Sequence, residues 1–130
     1  MGKMKVLGRH IVAELHGCEP GLLTDLDRTL EILRDAVKAA GATYLGEFHK
    51  TFEPWGGVTA IIALAESHIS IHTWPEYGYA ALDIFTCGDQ ADPWKAYEHV
   101  VEVYKPEKVN VTEIKRGLVR LEKLEERGER

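Results

Sequence analysis

Two cysteines, Cys18 and Cys87, are all that the 130-residue chain contains, and neither sits in a CxxC pair. That scarcity excludes a disulfide framework, a zinc knuckle and a thioredoxin-type redox motif. No apolar stretch approaches the roughly 18 residues that span a bilayer. The charged start, Met1 to Arg9, is not followed by a secretory hydrophobic region and cleavage site. A cytoplasmic protein with no membrane partner is expected. Basic residues are outnumbered, 16 against 21 acidic, for a net charge of −5. This is the wrong sign for a face that neutralises phosphates, so nucleic acid is not an expected partner.

What is present fits a globular chain. Apolar residues make up 45% and charged residues 28%, values that support a folded core. The length suits a single domain, 1–130, with little interior to spare for enclosing a ligand. Any sizeable site is therefore expected in a surface cleft or between subunits.

The pattern along the chain alternates between two periods. Lys5–Leu15 reads as a strand broken by Gly17 to Gly21. Leu26, Leu30, Leu33, Val37 and Ala40 then recur at helical spacing, with Thr24 as the expected N-cap and Gly41 closing the helix. Ala42–Phe52 and Gly57–Ala65 read as strands joined by a Pro/Gly turn. Ser67–Thr73 alternates strictly, with His68, Ser70 and His72 on one face and Ile69 and Ile71 on the other. Tyr79–Thr86 is a further strand. Asp92 and Pro93 open a second helix whose expected buried stripe is Trp94, Tyr97, Val100, Val101 and Tyr104. Val109–Ile114 is the last strand. Lys115 to Arg130 holds six basic and four acidic residues, which reads as a solvated tail or surface helix. The order βαββ then ββαβ predicts an α+β fold: a two-layer sandwich with an antiparallel sheet and two helices on one face.

The densest polar and aromatic run is Glu66 to Glu76. His68 and His72 would share a metal on a helix, but on a strand they stand about 13 Å apart, from four steps of roughly 3.3 Å. No metal is expected. A Ser/His or Cys/His nucleophile is a second reading, but there is no GxSxG elbow and spacing alone does not pair Ser67 or Cys87 with His72. The third is a half-exposed strand whose histidines bond their neighbours. Residue patterns leave these open.

The run Ala65-Glu66-Ser67-His68-Ile69-Ser70-Ile71-His72-Thr73-Trp74-Pro75-Glu76, followed by Gly78-Tyr79-Ala80-Ala81 and Thr86-Cys87-Gly88, closely resembles the prokaryotic S-adenosylmethionine decarboxylase proenzymes. Gly8-Arg9-His10, Ala13-Glu14, Cys18 and Asp92-Pro93-Trp94-Lys95-Ala96 fit the same family, so the likeness runs over about residues 6–115. It implies an enzyme without pyridoxal phosphate or metal, which makes a pyruvoyl group from its own serine. Cleavage would fall between Glu66 and Ser67, giving chains 1–66 and 67–130. Ser67 Oγ would attack the Glu66 carbonyl to form an ester. Loss of the Ser67 α-proton would eliminate the ester, and hydrolysis with loss of ammonia would leave the pyruvoyl cap. The resemblance assigns proton acceptance during processing to His72, with Thr59 as an assisting hydroxyl and His68 in support. Relatives carry serine where this chain has Thr59, which keeps the hydroxyl and adds a methyl.

In turnover, the resemblance implies a Schiff base between the residue-67 pyruvoyl and the substrate amine, with its carbonyl as electron sink. Cys87 would then donate a proton to the substrate α-carbon as general acid. Phe52, Trp55 and Trp74 are candidates to hold the adenine ring and sulfonium of S-adenosylmethionine, and Glu76, Glu14 or Asp83 its polar groups. Cys18 reads as a small buried hydrophobe. His10, His16, His49 and His99 read as ordinary surface or core histidines. The family likeness also implies a dimer of αβ protomers and a role in spermidine synthesis. Two other functions compete: a pyruvoyl-dependent arginine decarboxylase, and a non-catalytic α/β ligand-binding or assembly domain.

Overall fold

The four inner strands bury alternate apolar residues, and this pattern builds the core. The structure, a computed structural model, describes residues 3–121. Its elements are β1 (Met4–His16), α1 (Pro20–Leu23), α2 (Leu26–Ala40), β2 (Tyr44–Phe52), β3 (Gly57–Leu64), β4 (Ser67–Trp74), a 3-10 turn (Pro75–Tyr77), β5 (Tyr79–Cys87), α3 (Pro93–Tyr104) and β6 (Lys108–Arg120). The strands form one antiparallel sheet in the order β2-β3-β4-β5-β1-β6. The fold is α+β, as the element order predicts.

Ile11, Ala13 and Leu15 of β1, Val58, Ala60 and Ile62 of β3, Ile69 and Ile71 of β4, and Leu82 and Ile84 of β5 are buried against the helices. From α2 they meet Leu30, Ile32, Leu33, Ala36, Val37 and Ala40, and from α3 Ala96, Val100 and Tyr104. Each fully buried Ile or Leu contributes about 1.5–3 kcal/mol of transfer free energy. Two polar groups under the helices find partners. Thr73 Oγ1 accepts from Val58 N–H at 2.8 Å and donates to Leu23 C=O at 2.8 Å. Thr29 Oγ1 and the Tyr104 hydroxyl lie 3.2 Å apart.

Several expectations need correcting. Asp25, not Thr24, caps α2: its carboxylate accepts from Arg28 N–H at 3.0 Å. Thr24 instead ends α1, a single turn inside the segment expected to be a break, and its hydroxyl donates to Gly21 C=O. The α2 stripe also takes in Thr29, Ile32 and Ala36, while Leu26 is only half-buried. On α3, Ala96 is buried, whereas Trp94, Tyr97 and Val101 are half-buried. The strand β2 begins at Tyr44 rather than Ala42. The largest difference is at the end of the chain. Residues 115–120 are not tail or surface helix but the second half of β6, pairing Lys115 with Arg9 and Arg120 with Met4. The basic Lys115, Arg116 and Arg120 decorate an exposed sheet edge, where charge discourages pairing with other strands. Residues 122–130 lie outside the described part.

Among the described residues, the second face of the sheet carries no helix. His10, Val12 and Glu14, Thr59, Ile61, His68, Ser70, His72, Tyr79, Asp83, Phe85 and Cys87 lie on it by strand alternation. No helix among the described residues is long and apolar enough to cross a membrane.

Candidate active site

Two open clefts occupy opposite ends of β4, and between them they contain all the candidate residues except His68, Glu14 and Asp83. The first, about 360 Å³, is lined by Leu7, Gly8, Leu64, Ala65, Glu66, Ser67, Phe85, Cys87, Arg116 and Gly117. The second, about 510 Å³, is lined by Phe52, Glu53, Trp55, Gly57, Thr59, His72, Thr73, Trp74 and Glu76.

In the first cleft, a two-residue turn, Ala65–Glu66, joins β3 to β4. Its tightness drives Ser67 to φ 152°, a value that residues with a side chain rarely adopt. Such backbone conformations cost on the order of 1–3 kcal/mol and persist only where the surroundings enforce them. Here the enforcement is visible: the Glu66 carbonyl accepts from Cys87 N–H at 2.8 Å. Ser67 pairs across the strands with Thr86, which brings the Cys87 thiol into the same cleft. Ser67 Oγ lies 3.3 Å from His68 Nδ1.

A polar network supports this end from the open face. Arg116 stacks over Phe85 at 5.1 Å and lies 3.3 Å from His10 Nδ1. His10 Nε2 lies 2.9 Å from Asp83 Oδ1 on its other side. His68 packs edge-on to His10 and Phe85. Burial, and next the neighbouring His10, lower the His68 pKa below its ordinary 6.5, with Asp83 opposing. His68 therefore favours the neutral imidazole, whose free nitrogen can accept a proton.

The second cleft is aromatic. His72 Nδ1 and Thr59 Oγ1 are 3.0 Å apart, held by the direct pairing of their residues in β3 and β4. The methyl of Thr59 does not prevent this contact. His72, Trp74, Tyr79 and His16 form a ladder of rings at 6.4, 5.3 and 5.2 Å. Tyr79 donates to the Glu14 carboxylate, and burial followed by this bond pushes its pKa up to about 12. Phe52 and Trp55 are 48% and 62% exposed, large apolar surfaces left open for a partner or ligand. The turn that carries Trp55 follows a cis Glu53–Pro54 bond.

The structure thus gathers Phe52, Trp55, Trp74, Glu76, Thr59 and His72 at one end, and Glu66, Ser67, His68 and Cys87 at the other. It does not bring His72 to Ser67 of the same chain, since five strand steps separate them by about 16 Å. Cys18 is buried, and burial raises its pKa to about 11, in keeping with an inert core thiol. Sequence reasoning missed Arg116, Phe85 and the pairing of His10 with Asp83, all set by contacts across β1, β5 and β6. Only alternation could have hinted at them, by assigning His10, Asp83 and Phe85 to the face of His68.

Known proteins were compared with the chain. The family model described as S-adenosylmethionine decarboxylase matches residues 9–117. The S-adenosylmethionine decarboxylase proenzyme of Methanococcus maripaludis (strain C7) is 48% identical over 123 residues, covering 95% of this chain and all of that protein. The proenzyme of Thermosipho africanus is 46% identical over 114 residues, covering 88% of this chain and 87% of the relative. In three dimensions, the crystal structure of the adenosylmethionine decarboxylase from Aquifex aeolicus matches with a TM-score of 0.84 at 37% identity, covering 89% of this chain and 95% of that one. With its family model spanning most of the sheet and both clefts, the chain belongs to the S-adenosylmethionine decarboxylase family.

Proposed function

We propose that this chain is the proenzyme of a pyruvoyl-dependent decarboxylase that releases CO2 from S-adenosylmethionine and leaves an aminopropyl donor for polyamine synthesis. One observation carries the reading. The Glu66–Ser67 peptide bond is strained at Ser67, and its carbonyl is already hydrogen-bonded by Cys87 N–H in the cleft that holds the Cys87 thiol. The chemistry fits these atoms. Ser67 Oγ attacks the Glu66 carbonyl carbon, and negative charge develops on the oxygen that Cys87 N–H already faces. One such preorganised donor is worth roughly 10²–10³ in rate. The amide bond gives way to an ester. Removal of the Ser67 α-proton expels the Glu66 carboxylate, and hydrolysis of the residue left behind releases ammonia. This also relieves the strain at Ser67.

The pyruvoyl carbonyl so formed supplies the electrophile for the substrate amine and the sink for the electron pair left when CO2 departs. Cys87 is the proton donor to the substrate α-carbon. Phe85 and Arg116 wall its cleft, and Phe52, Trp55 and Trp74 offer faces to the adenine and the sulfonium cation.

The wide separation of His72 from Ser67 supports a two-chain site. The sheet face that carries no helix among the described residues exposes Phe48, Phe52, Ile61, Trp74, Ile114 and Leu118, an apolar surface that a second sheet would cover. In our proposal two copies pack face to face about a two-fold axis crossing the strands near Ser70. That operation sets the Ser67 end of one β4 over the Trp74 end of the other, so the partner's His72 and Thr59 complete each site. His72 then takes the Ser67 α-proton of the opposite chain, with Thr59 Oγ1 fixing its ring.

Denaturing mass spectrometry of purified protein tests the reading. We expect two fragments, 1–66 and 67–130, the second blocked to Edman degradation, and CO2 release from S-adenosylmethionine. A folded chain that stays whole would overturn self-processing. Release of CO2 from arginine alone would overturn the substrate.

A further inference from the structure

The Glu66 carboxylate takes no part in the acyl shift, which uses the main-chain carbonyl and the serine hydroxyl. Yet it is held at two points by one residue. Thr43 N–H donates to Glu66 Oε1 at 2.9 Å and Thr43 Oγ1 to Oε2 at 3.1 Å. Thr43 C=O also accepts from Ala65 N–H at 3.0 Å. The whole β3–β4 turn is thereby bracketed from the neighbouring β2 end of the sheet.

Thr43 is itself fixed by the end of α2. Gly41 adopts φ 71°, and Gly41 N–H and Ala42 N–H close back on Lys38 and Val37 carbonyls at 3.1 and 3.0 Å. This is the paired bonding of a Schellman cap, which sets the exit direction of the chain. A rigid line therefore runs from the helix cap through Thr43 to the scissile residue. Glu66 is gripped on both sides, its carboxylate by Thr43 and its carbonyl by Cys87 N–H. Bonds to a charged acceptor are the stronger kind, and together they oppose rotation of the peptide plane.

We propose that Thr43 is a positioning residue for self-cleavage, holding the Glu66 side chain so that the scissile carbonyl keeps its orientation toward Cys87 N–H and Ser67 Oγ. The inference rests on the self-processing reading above.

The test follows cleavage over time in full-length chains made by cell-free synthesis. Thr43→Val should slow cleavage by about tenfold, the worth of one bond to a charged group. Thr43→Ser should restore it to within about twofold. Glu66→Gln should slow it comparably. The double variant T43V/E66Q should be no slower than the slower single one, because both break the same contact. A role in general stability would instead lower the melting temperature in step with the loss of cleavage, which melting curves in a Ser67→Ala background read directly. Thr43→Val cleaving at the wild-type rate, Thr43→Ser as slow as Thr43→Val, or additive singles would each overturn the proposal. Should Thr43→Val fail to fold, Glu66→Gln decides alone: cleavage at the wild-type rate sinks it. A wild-type chain that never cleaves is a different failure, of the self-processing reading itself, and takes this inference with it.

Discussion

At its Ser67 end β4 offers a strained turn, a backbone donor and a thiol. At its Trp74 end, seven residues on, it offers an imidazole bonded to a hydroxyl and a ladder of aromatic rings. On the proposed reading the first end holds the bond to be cut and the second the base and the binding surface, so each end needs the other. Strand geometry forbids a single chain from joining them, because an extended strand cannot fold its two ends together. On the same proposed reading, a protein of this size gains a substrate cleft by dividing it between copies, since one small core leaves no interior to hollow out.

The sharpest way to break this comparison is to disable one end in each of two chains. Ser67→Ala should abolish cleavage entirely, and His72→Ala should slow it by about 10²–10⁴, the range for a lost proton acceptor. Coexpressed, the two variants should recover cleavage of the His72→Ala chain, because the Ser67→Ala copy contributes an intact His72. Gel analysis with distinguishable tags reads the result. Absence of recovery in isolated mixed dimers would refute the division of the site.

Cys87→Ala separates the two tasks of the Ser67 end. It removes the thiol and keeps the N–H that faces the Glu66 carbonyl. Cleavage should persist, while kcat for decarboxylation falls by about 10²–10⁴, measured as CO2 release. Trp74→Ala addresses the binding end. A lost ring contact of about 0.5–1.5 kcal/mol should raise KM roughly two- to tenfold with cleavage of the chain preserved. An unchanged KM would remove Trp74 from the substrate cleft.

The smallest effect concerns acid stability. His68 has a folded-state pKa below 6.5, so between that value and 6.5 the unfolded chain binds more protons. Stability is then full above about 6.5, falls as the pH drops below it, and levels off beneath the folded value. His68→Gln should flatten this limb in melting temperatures taken from pH 7.5 to 5. His10 and Asp83 face the same imidazole and should be left intact. An unaltered limb would show that His68 does not carry it.

Much of the fold could be read from the chain because its code is local. Leu30, Leu33 and Val37 repeat at helical spacing, and His68 and His72 alternate with Ile69 and Ile71, so periodicity and burial say the same thing. The misread parts are those where distant partners decide. Lys115 to Arg120 carry the composition of a tail, yet pairing with Met4 to Arg9 makes them a strand. Thr24 and Asp25 are equally good caps by residue type, and the extra turn of α1 selects the second. In the site, the Glu66-Ser67 run and its Thr-Cys-Gly companion are visible as motifs. The grip of Thr43 on Glu66 spans 23 residues and left no local mark.

By itself, then, the sequence determined the order of the strands and the two long helices, the faces of β4 and the family to which the chain belongs, since these depend on spacing and on an unbroken run of residues. Only the tertiary structure decided how the candidates are shared out. It put Ser67 with Cys87 and His72 with Thr59, because antiparallel register, not sequence distance, sets which side chains meet across a sheet.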